Sequence, residues 1–200
     1  MSALIRRIAG VAAVAALAVG LSACTGGDKT TQAYLDQQGS GYIAGDGQII
    51  NIDKDKRGEP VVFEGTDQDG NPLGSKDVAG DVVVVNFWYA SCAPCRVETE
   101  YLESVYEQTK DQGVSFIGIN VLDAPDTAKS FMDEFGVTYP SVIDAGDGAA
   151  KIAFAQEVPL GSTPNTVILD REGRVGARIV GPVVGDSVLR TLVTELGDES

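Results

Sequence analysis

Two cysteines, Cys92 and Cys95, are the side chains of this sequence best placed to do chemistry. They follow an apolar stretch, Val82 to Val85, that is typical of a buried strand, and a helical pattern begins at Cys92. At a helix N-terminus, the exposed backbone N–H groups and the positive end of the helix dipole stabilise a thiolate and lower the pKa of the leading thiol. This arrangement indicates thiol–disulfide exchange, with Cys92 as the favoured thiolate.

A metal site and a purely structural disulfide are the alternatives for this pair. A structural zinc site needs four ligands, whereas the chain has no histidine and only three cysteines. A structural disulfide between Cys92 and Cys95 is possible, but it would close a very short loop and gain little chain-entropy stabilisation. The order of strand, CxxC and helix therefore favours a redox role. We expect no metal and no cofactor besides a redox-active disulfide.

The third cysteine, Cys24, ends an N-terminal pattern that is typical of export. Residues 1–23 have a basic start and then an apolar segment over residues 8–21. The sequence LSAC that ends at Cys24 resembles a lipobox, in which the cysteine is lipidated and becomes the first residue of the mature chain. An ordinary signal peptidase site or a membrane anchor is the alternative. An apolar core of about fourteen residues is short for a spanning helix, which needs about twenty.

Charge and composition restrict the classes of partner. The net charge is −14, and loss of residues 1–23 would make it more negative, because they hold two arginines and no acidic residue. Such a charge argues against nucleic acid and against broad adsorption to anionic lipid. Polar and small residues up to about residue 40 predict a flexible spacer. We expect a signal peptide at 1–23, a lipid-anchored tether at 24–57 and one folded domain at 58–200.

Strand and helix patterns alternate through that domain. We predict strands at 61–63, 82–88, 114–120, 142–143, 166–169 and 175–180, and helices at 92–112, 126–135, 149–156 and 185–196. A hairpin turn is predicted at 67–71, and a short strand around residues 49–52 is left open. This order predicts a three-layer α/β/α sandwich around a mixed sheet.

The cysteine motif and the order of elements resemble a known family. The sequence VVNFWxxxCxPCxxE runs from Val84 to Glu98, and Thr163-Pro164 precedes the final strand hairpin. This arrangement resembles the thioredoxin fold. More narrowly, it is similar to the membrane-tethered TlpA/ResA-type thiol–disulfide oxidoreductases over roughly residues 60–196. The resemblance also implies an insertion in the middle of the fold, within residues 137–157.

The resemblance implies a role for each residue of the motif. Cys92 would be the nucleophile and Cys95 the resolving thiol of a redox disulfide. Glu98 would take the acid–base role, since Asn86 stands where thioredoxin has a buried aspartate. A solvated acid in the first turn of the helix is the alternative for Glu98. Asn86 would either position other groups by hydrogen bonds or be a satisfied core amide.

The resemblance also implies a surface that faces the substrate. Thr163-Pro164 would form a cis peptide bond opposite the cysteines, and the backbone of Thr163 would pair with an extended substrate strand. Trp88 would pack beside the site and contribute to substrate binding, although a core tryptophan explains it equally well. Tyr89 and Ser91 depart from the small and the bulky residues that the family has there, so we expect this rim to differ.

These observations predict a lipid-anchored thiol–disulfide oxidoreductase on the extracytoplasmic face of the cell membrane. The resemblance favours reduction of disulfides in exported proteins, such as apocytochrome c, with electrons from a thiol protein of the membrane. The alternatives are a disulfide-forming oxidant, a redoxin-type peroxidase and a tethered binding protein with an inert disulfide. The peroxidase would need a threonine ahead of its reactive cysteine, and none stands around Cys92. We expect a monomer with no nucleic-acid partner.

Overall fold

The structure, a computed structural model, describes residues 41–44, 47–158, 161 and 163–199. The strands are β1 (Gly41–Ala44), β2 (Gly47–Asn51), β3 (Glu64–Thr66), β4 (Pro72–Gly74), β5 (Val82–Trp88), β6 (Val114–Asn120), β7 (Ser141–Ile143), β8 (Asn165–Leu169) and β9 (Val175–Val180). The helices are α1 (Ala93–Thr109), α2 (Pro125–Phe135), α3 (Ala149–Ala153) and α4 (Asp186–Gly197). The predicted signal peptide and Cys24 lie outside the described residues.

Seven of these strands form one mixed sheet in the order β1-β2-β9-β8-β5-β6-β7. Strand β5 pairs in parallel with β6 and antiparallel with β8, and β6 pairs in parallel with β7. Strands β3 and β4 form a separate hairpin. The strand predicted at residues 61–63 begins three residues later, at Glu64–Thr66. None of the helices in the described part of the chain is long and apolar enough to cross a membrane.

Strand β5 lies in the interior of the sheet, and all seven of its residues are buried. Because side chains alternate along a strand, Val82 and Val84 belong to the core beneath α1 and α4, whereas Val83 and Val85 belong to the core beneath α3. The sheet therefore has helices on both faces, which confirms the predicted sandwich. By the same alternation, Asn86 lies on the α1 side of the sheet.

The predicted insertion contains a strand and a short helix. Strand β7 extends the sheet beyond β6, and α3 packs its buried Ala150 against the opposite face from α1. The helix expected at 149–156 ends at Ala153, and turns follow it as far as Glu157. Phe154 fills the core on this face, where its ring meets those of Phe63 and Phe87 at centroid distances of 5.4 and 5.3 Å.

The sheet begins before residue 58, where the sequence placed the start of the folded domain. Strand β2 pairs antiparallel with β9. Its Ile50 is buried, Ile49 packs on the core beneath α1, and Ile52 packs on the core of the other face. A flexible tether would leave these isoleucines in water, whereas the folded segment buries them against the cores on the two faces of the sheet.

A buried arginine also ties this early segment to the domain. The side chain of Arg57 is 3% exposed. It donates to Asp170 at 2.9 Å, to both carboxylate oxygens of Glu199 at 2.5 and 2.6 Å, and to the carbonyl of Ile52 at 3.1 Å. A buried charge needs such partners, because an unpaired charge in a poorly solvated site is strongly destabilising. Residues 52–57 are therefore part of the folded domain.

Candidate active site

Cys92 and Cys95 form a disulfide at the junction of β5 and α1. Cys92 is the N-cap residue of the helix, and its Sγ accepts a hydrogen bond of 3.2 Å from the backbone N–H of Cys95. Pro94 occupies the first turn, where its missing N–H costs no helical hydrogen bond. The strand–CxxC–helix arrangement predicted from the sequence is confirmed. The N–H of Cys95 is in place to stabilise a thiolate at Cys92.

The two sulfur-bearing residues are almost completely covered. Cys92 is 2% exposed and Cys95 is 1% exposed. They pack in an apolar cluster with Trp88 and with α2, through Phe131 and Met132. Only a partner that fits closely over the pair can bring a sulfur atom to Cys92.

The loop before β8 reaches the cysteine pair. The Thr163–Pro164 peptide bond is cis, which confirms the prediction from the family resemblance. The carbonyl oxygen of Thr163 lies 4.0 Å from Sγ of Cys92. The backbone of Thr163 is thus in contact with the reactive sulfur.

Glu98 lies in the interior, with 1% of the residue exposed. Its carboxylate accepts hydrogen bonds from the Asn86 side chain at 2.9 Å and from the Val183 backbone N–H at 2.8 Å. Asn86 also donates to Thr166 at 3.1 Å, across the β5–β8 pair. Glu98 is therefore not a solvated acid, and Asn86 positions it.

Burial dominates the electrostatics of Glu98. Removal of the carboxylate from water raises the pKa of Glu98 from its usual 4.5 to about 7, although the hydrogen bonds from Val183 and Asn86 oppose the rise. Tyr139 is also buried, and its pKa is raised by burial first and then by the nearby charges of Glu98 and Glu103. A carboxyl group with a pKa near 7 can hold or release a proton at neutral pH.

Trp88, expected to help bind substrate, lies beneath the site rather than on its surface. It is 5% exposed, and its indole N–H donates to Ser141 at 2.8 Å. Its ring packs on Phe131 at a centroid distance of 4.7 Å. The core interpretation of Trp88 is therefore the better one, because little of its surface is left for a substrate. Ser91 is exposed on the rim, and Tyr89 is partly exposed.

Two partners of the site, Thr166 and the backbone N–H of Val183, could not be found from the sequence alone. Thr166 lies opposite Asn86 only through the pairing of β5 with β8. Val183 reaches Glu98 from the loop between β9 and α4, 85 residues further along the chain. The TP motif and the strand that follows it were the only available pointers to this region.

Residues 53–193 match the family model described as Redoxin. The match covers more than half of the chain and includes both cysteines, Glu98 and the Thr163–Pro164 loop. The chain belongs to the Redoxin family. Within that family it carries a CxxC disulfide at a helix N-terminus.

Among characterised relatives, the chain is similar to thiol-disulfide oxidoreductase ResA. The ResA protein of Bacillus thuringiensis (strain Al Hakam) is 32% identical over 119 residues, which is 60% of this chain and 66% of the relative. That of Geobacillus kaustophilus is 33% identical over 127 residues, which is 64% of this chain and 70% of the relative. The chain thus spans 66% of the length of the Bacillus relative.

Solved structures show the same architecture. A secreted thiol-disulfide isomerase from Corynebacterium glutamicum superposes with a TM-score of 0.69 at 29% identity, over 76% of this chain and 92% of that one. A DsbF homologue from Corynebacterium diphtheriae gives a TM-score of 0.62 at 27% identity, over 74% and 92%. The fold is thioredoxin-like, and the domain is homologous to thiol–disulfide oxidoreductases.

We predict that Glu98 titrates near pH 7 in the oxidised protein, as measured by NMR of its carboxyl carbon. Between its unfolded pKa of 4.5 and its folded pKa, the folded state keeps a proton that the unfolded chain has lost. Stability from this group is therefore fully present below about pH 4.5 and is lost as the pH rises through about 7. At 1.36 kcal/mol per pKa unit, the free energy of unfolding falls by about 3 kcal/mol over this range.

Denaturant unfolding of wild type and Glu98→Gln between about pH 5 and 8 measures this loss. The Gln variant should lack it, whereas Glu100→Gln, at an exposed position two residues along the same helix, should follow wild type. A Glu98 midpoint near 4.5, together with parallel stability curves for wild type and Glu98→Gln, would contradict the prediction.

Proposed function

We propose that this protein is a lipid-anchored extracytoplasmic thiol–disulfide oxidoreductase that reduces disulfides in exported proteins, such as apocytochrome c. The observation that carries this proposal is the buried Cys92–Cys95 disulfide at the start of α1, in contact with the backbone of Thr163. Homology to thiol–disulfide oxidoreductases supports the reaction class. The secreted relative from Corynebacterium glutamicum and the lipobox that ends at Cys24 support the location.

The reaction proceeds by two exchanges. In the first, the Cys92 thiolate attacks one sulfur of the substrate disulfide, a Cys92–substrate bond forms, and the other substrate sulfur leaves as a thiolate. In the second, the Cys95 thiol loses its proton and attacks Sγ of Cys92, so the Cys92–Cys95 bond forms and the remaining substrate sulfur leaves. The protein pair is oxidised and the substrate is reduced by two electrons. A thiol protein of the membrane then reduces the pair for the next cycle.

Burial of the sulfurs favours an extended polypeptide as the substrate. The exposed residues Ser91, Ala93 and Pro94 form the rim around Cys92. A substrate strand that pairs with the backbone of Thr163 brings its own sulfur to Cys92, since the Thr163 carbonyl lies 4.0 Å from Sγ. The burial of Cys92 also hinders attack by bulky folded surfaces.

Glu98 serves the second exchange as a proton acceptor. It lies three residues after Cys95, about one helical turn away, and on the buried side of α1. With a pKa near 7, it can accept the proton of the resolving thiol at neutral pH. The bonds from Asn86 and Val183 keep the carboxylate oriented between exchanges.

Net oxidation or isomerisation of disulfides is the second candidate. The isomerase relative from Corynebacterium glutamicum favours it, and the same two cysteines can run the exchanges in the opposite direction. A peroxidase is less well supported, because the residues from Val84 to Ser91 include no threonine ahead of Cys92. The order of attack at the two cysteines is common to the reductive and oxidative candidates.

The first test of the proposed function is trapping of the mixed disulfide. Reduced Cys95→Ala protein should accumulate a covalent adduct with insulin, because no thiol remains to release it. Cys92→Ala should give at least about tenfold less, since Cys95 lacks the helix-terminal position that favours the thiolate at Cys92. Non-reducing gels and intact mass measure the adduct. Equal trapping by the two variants would overturn the assignment of nucleophile and resolver. In a separate assay, the wild-type protein should accelerate the precipitation of insulin by dithiothreitol.

Lipidation of Cys24 is tested separately in cells. The wild-type protein should incorporate a radiolabelled fatty acid and partition into the detergent phase. Cys24→Ala should either block processing or release the domain into the medium, while dithiol activity of the purified domain stays unchanged. A soluble wild-type protein that begins after Cys24 would show that the lipobox is a chance match.

A further inference from the structure

The backbone of Ala90 is held by hydrogen bonds at both its N–H and its carbonyl group. Ala90 lies within the turn that the Cys92 N–H closes onto the Tyr89 carbonyl at 3.1 Å. Its N–H donates to the carboxylate of Asp123 at 2.6 Å. Its carbonyl accepts two bonds from Arg96, from Nε at 3.1 Å and from Nη2 at 3.0 Å. Two side chains of opposite charge thus fix the backbone two residues before the nucleophile.

Arg96 is held in place although it is exposed. Its guanidinium lies over the ring of Phe135, 6.0 Å from the centroid. Phe135 stacks on Phe131 at 4.5 Å, and Phe131 packs on Trp88 at 4.7 Å. This row of rings connects the guanidinium to the end of β5, and the two bonds to one carbonyl use the fixed fork of an arginine.

Asp123 is held by the residue that ends β6. Its carboxylate also accepts from the side-chain amide of Asn120 at 2.9 Å. The carbonyl oxygen of that amide accepts in turn from the backbone N–H groups of Asp123 at 2.7 Å and Leu122 at 3.2 Å. Asn120 is fully buried. The acceptor for the Ala90 N–H is therefore anchored to the sheet.

We propose that Arg96 and Asp123 are positioning residues that keep Cys92 facing Cys95 while the disulfide is open. The inference rests on the proposed function, in which Cys95 must find Sγ of Cys92 in the mixed disulfide. In the oxidised protein the covalent bond fixes this distance. Once the bond opens, the turn from Tyr89 to Cys92 depends on its hydrogen bonds. A fixed turn raises the effective concentration of one thiol toward the other.

Loss of either contact should weaken closure of the disulfide and slow the second exchange. Charge alone would act differently, because Arg96 is positive and Asp123 is negative. Removal of the arginine would destabilise a thiolate, and removal of the aspartate would stabilise it. Glu98, the other charged group of the site, stays unchanged in every variant. A positioning role therefore predicts shifts of the same direction, and a charge effect predicts shifts of opposite direction.

The test is the equilibrium between each purified protein and glutathione redox buffers at one pH. Arg96→Met and Asp123→Ala should each lower the equilibrium constant for disulfide closure by about tenfold, which makes the reduction potential about 30 mV less negative. Asp123→Asn keeps an acceptor oxygen and should restore most of the loss. Arg96→Lys keeps the charge but not the fork, and should recover only part of it. Arg190→Met, which removes an exposed ion pair with Asp186 on α4, should match wild type.

Shifts of opposite direction, or values equal to wild type in Arg96→Met and Asp123→Ala, would overturn the proposal. If either of these variants does not fold, Arg96→Lys and Asp123→Asn are compared with wild type directly. A wild-type equilibrium constant in Arg96→Lys together with a lowered one in Asp123→Asn would follow the charge rather than the hydrogen bonds and would overturn the proposal. The outcome is independent of the substrate. A wild-type protein that fails to reduce insulin would refute the proposed function, yet its equilibrium with glutathione would still report the positions of the two thiols.

Discussion

The hydrogen bond from the Cys95 N–H to the sulfur of Cys92 joins the redox pair to the start of a helix. The helix begins where β5 ends, and β5 is buried on both faces inside the sheet. Alternation along this one strand then directs Asn86 toward Glu98 and Trp88 toward α2. The site is therefore assembled at the C-terminal end of this strand, and a one-residue shift in its register would move Asn86 and Trp88 to the other face of the sheet.

Burial of Glu98 is the costly part of this arrangement. A carboxylate removed from water is stabilised only by the donors that it meets, here Asn86 and Val183. Two hydrogen bonds do not fully replace water, so the pKa of Glu98 stays raised. An apolar residue would pack there at a lower cost, which supports a role for the carboxyl group in proton transfer.

Features encoded by neighbouring residues could be predicted from the sequence, and those made by distant residues could not. The spacing of Cys92 and Cys95, the valine run before them and the helix after them are local signals, and the structure confirms them. The cis bond at Pro164 needed the family resemblance. The contacts of Glu98 with Val183 and of Ala90 with Asp123 exist only after the strands pair. The sequence places residues 49–52 in the tether and leaves a strand there open, because polar residues surround Ile49, Ile50 and Ile52.

The reduction potential of the Cys92–Cys95 pair tests the central claim most directly. Equilibration with glutathione or dithiothreitol, followed by alkylation and mass analysis, measures it at pH 7. A reductant of exported proteins should lie near thioredoxin, at about −270 mV, and below about −220 mV in any case. A value near about −120 mV, typical of a strong disulfide-forming oxidant, would contradict reduction as the function of this protein.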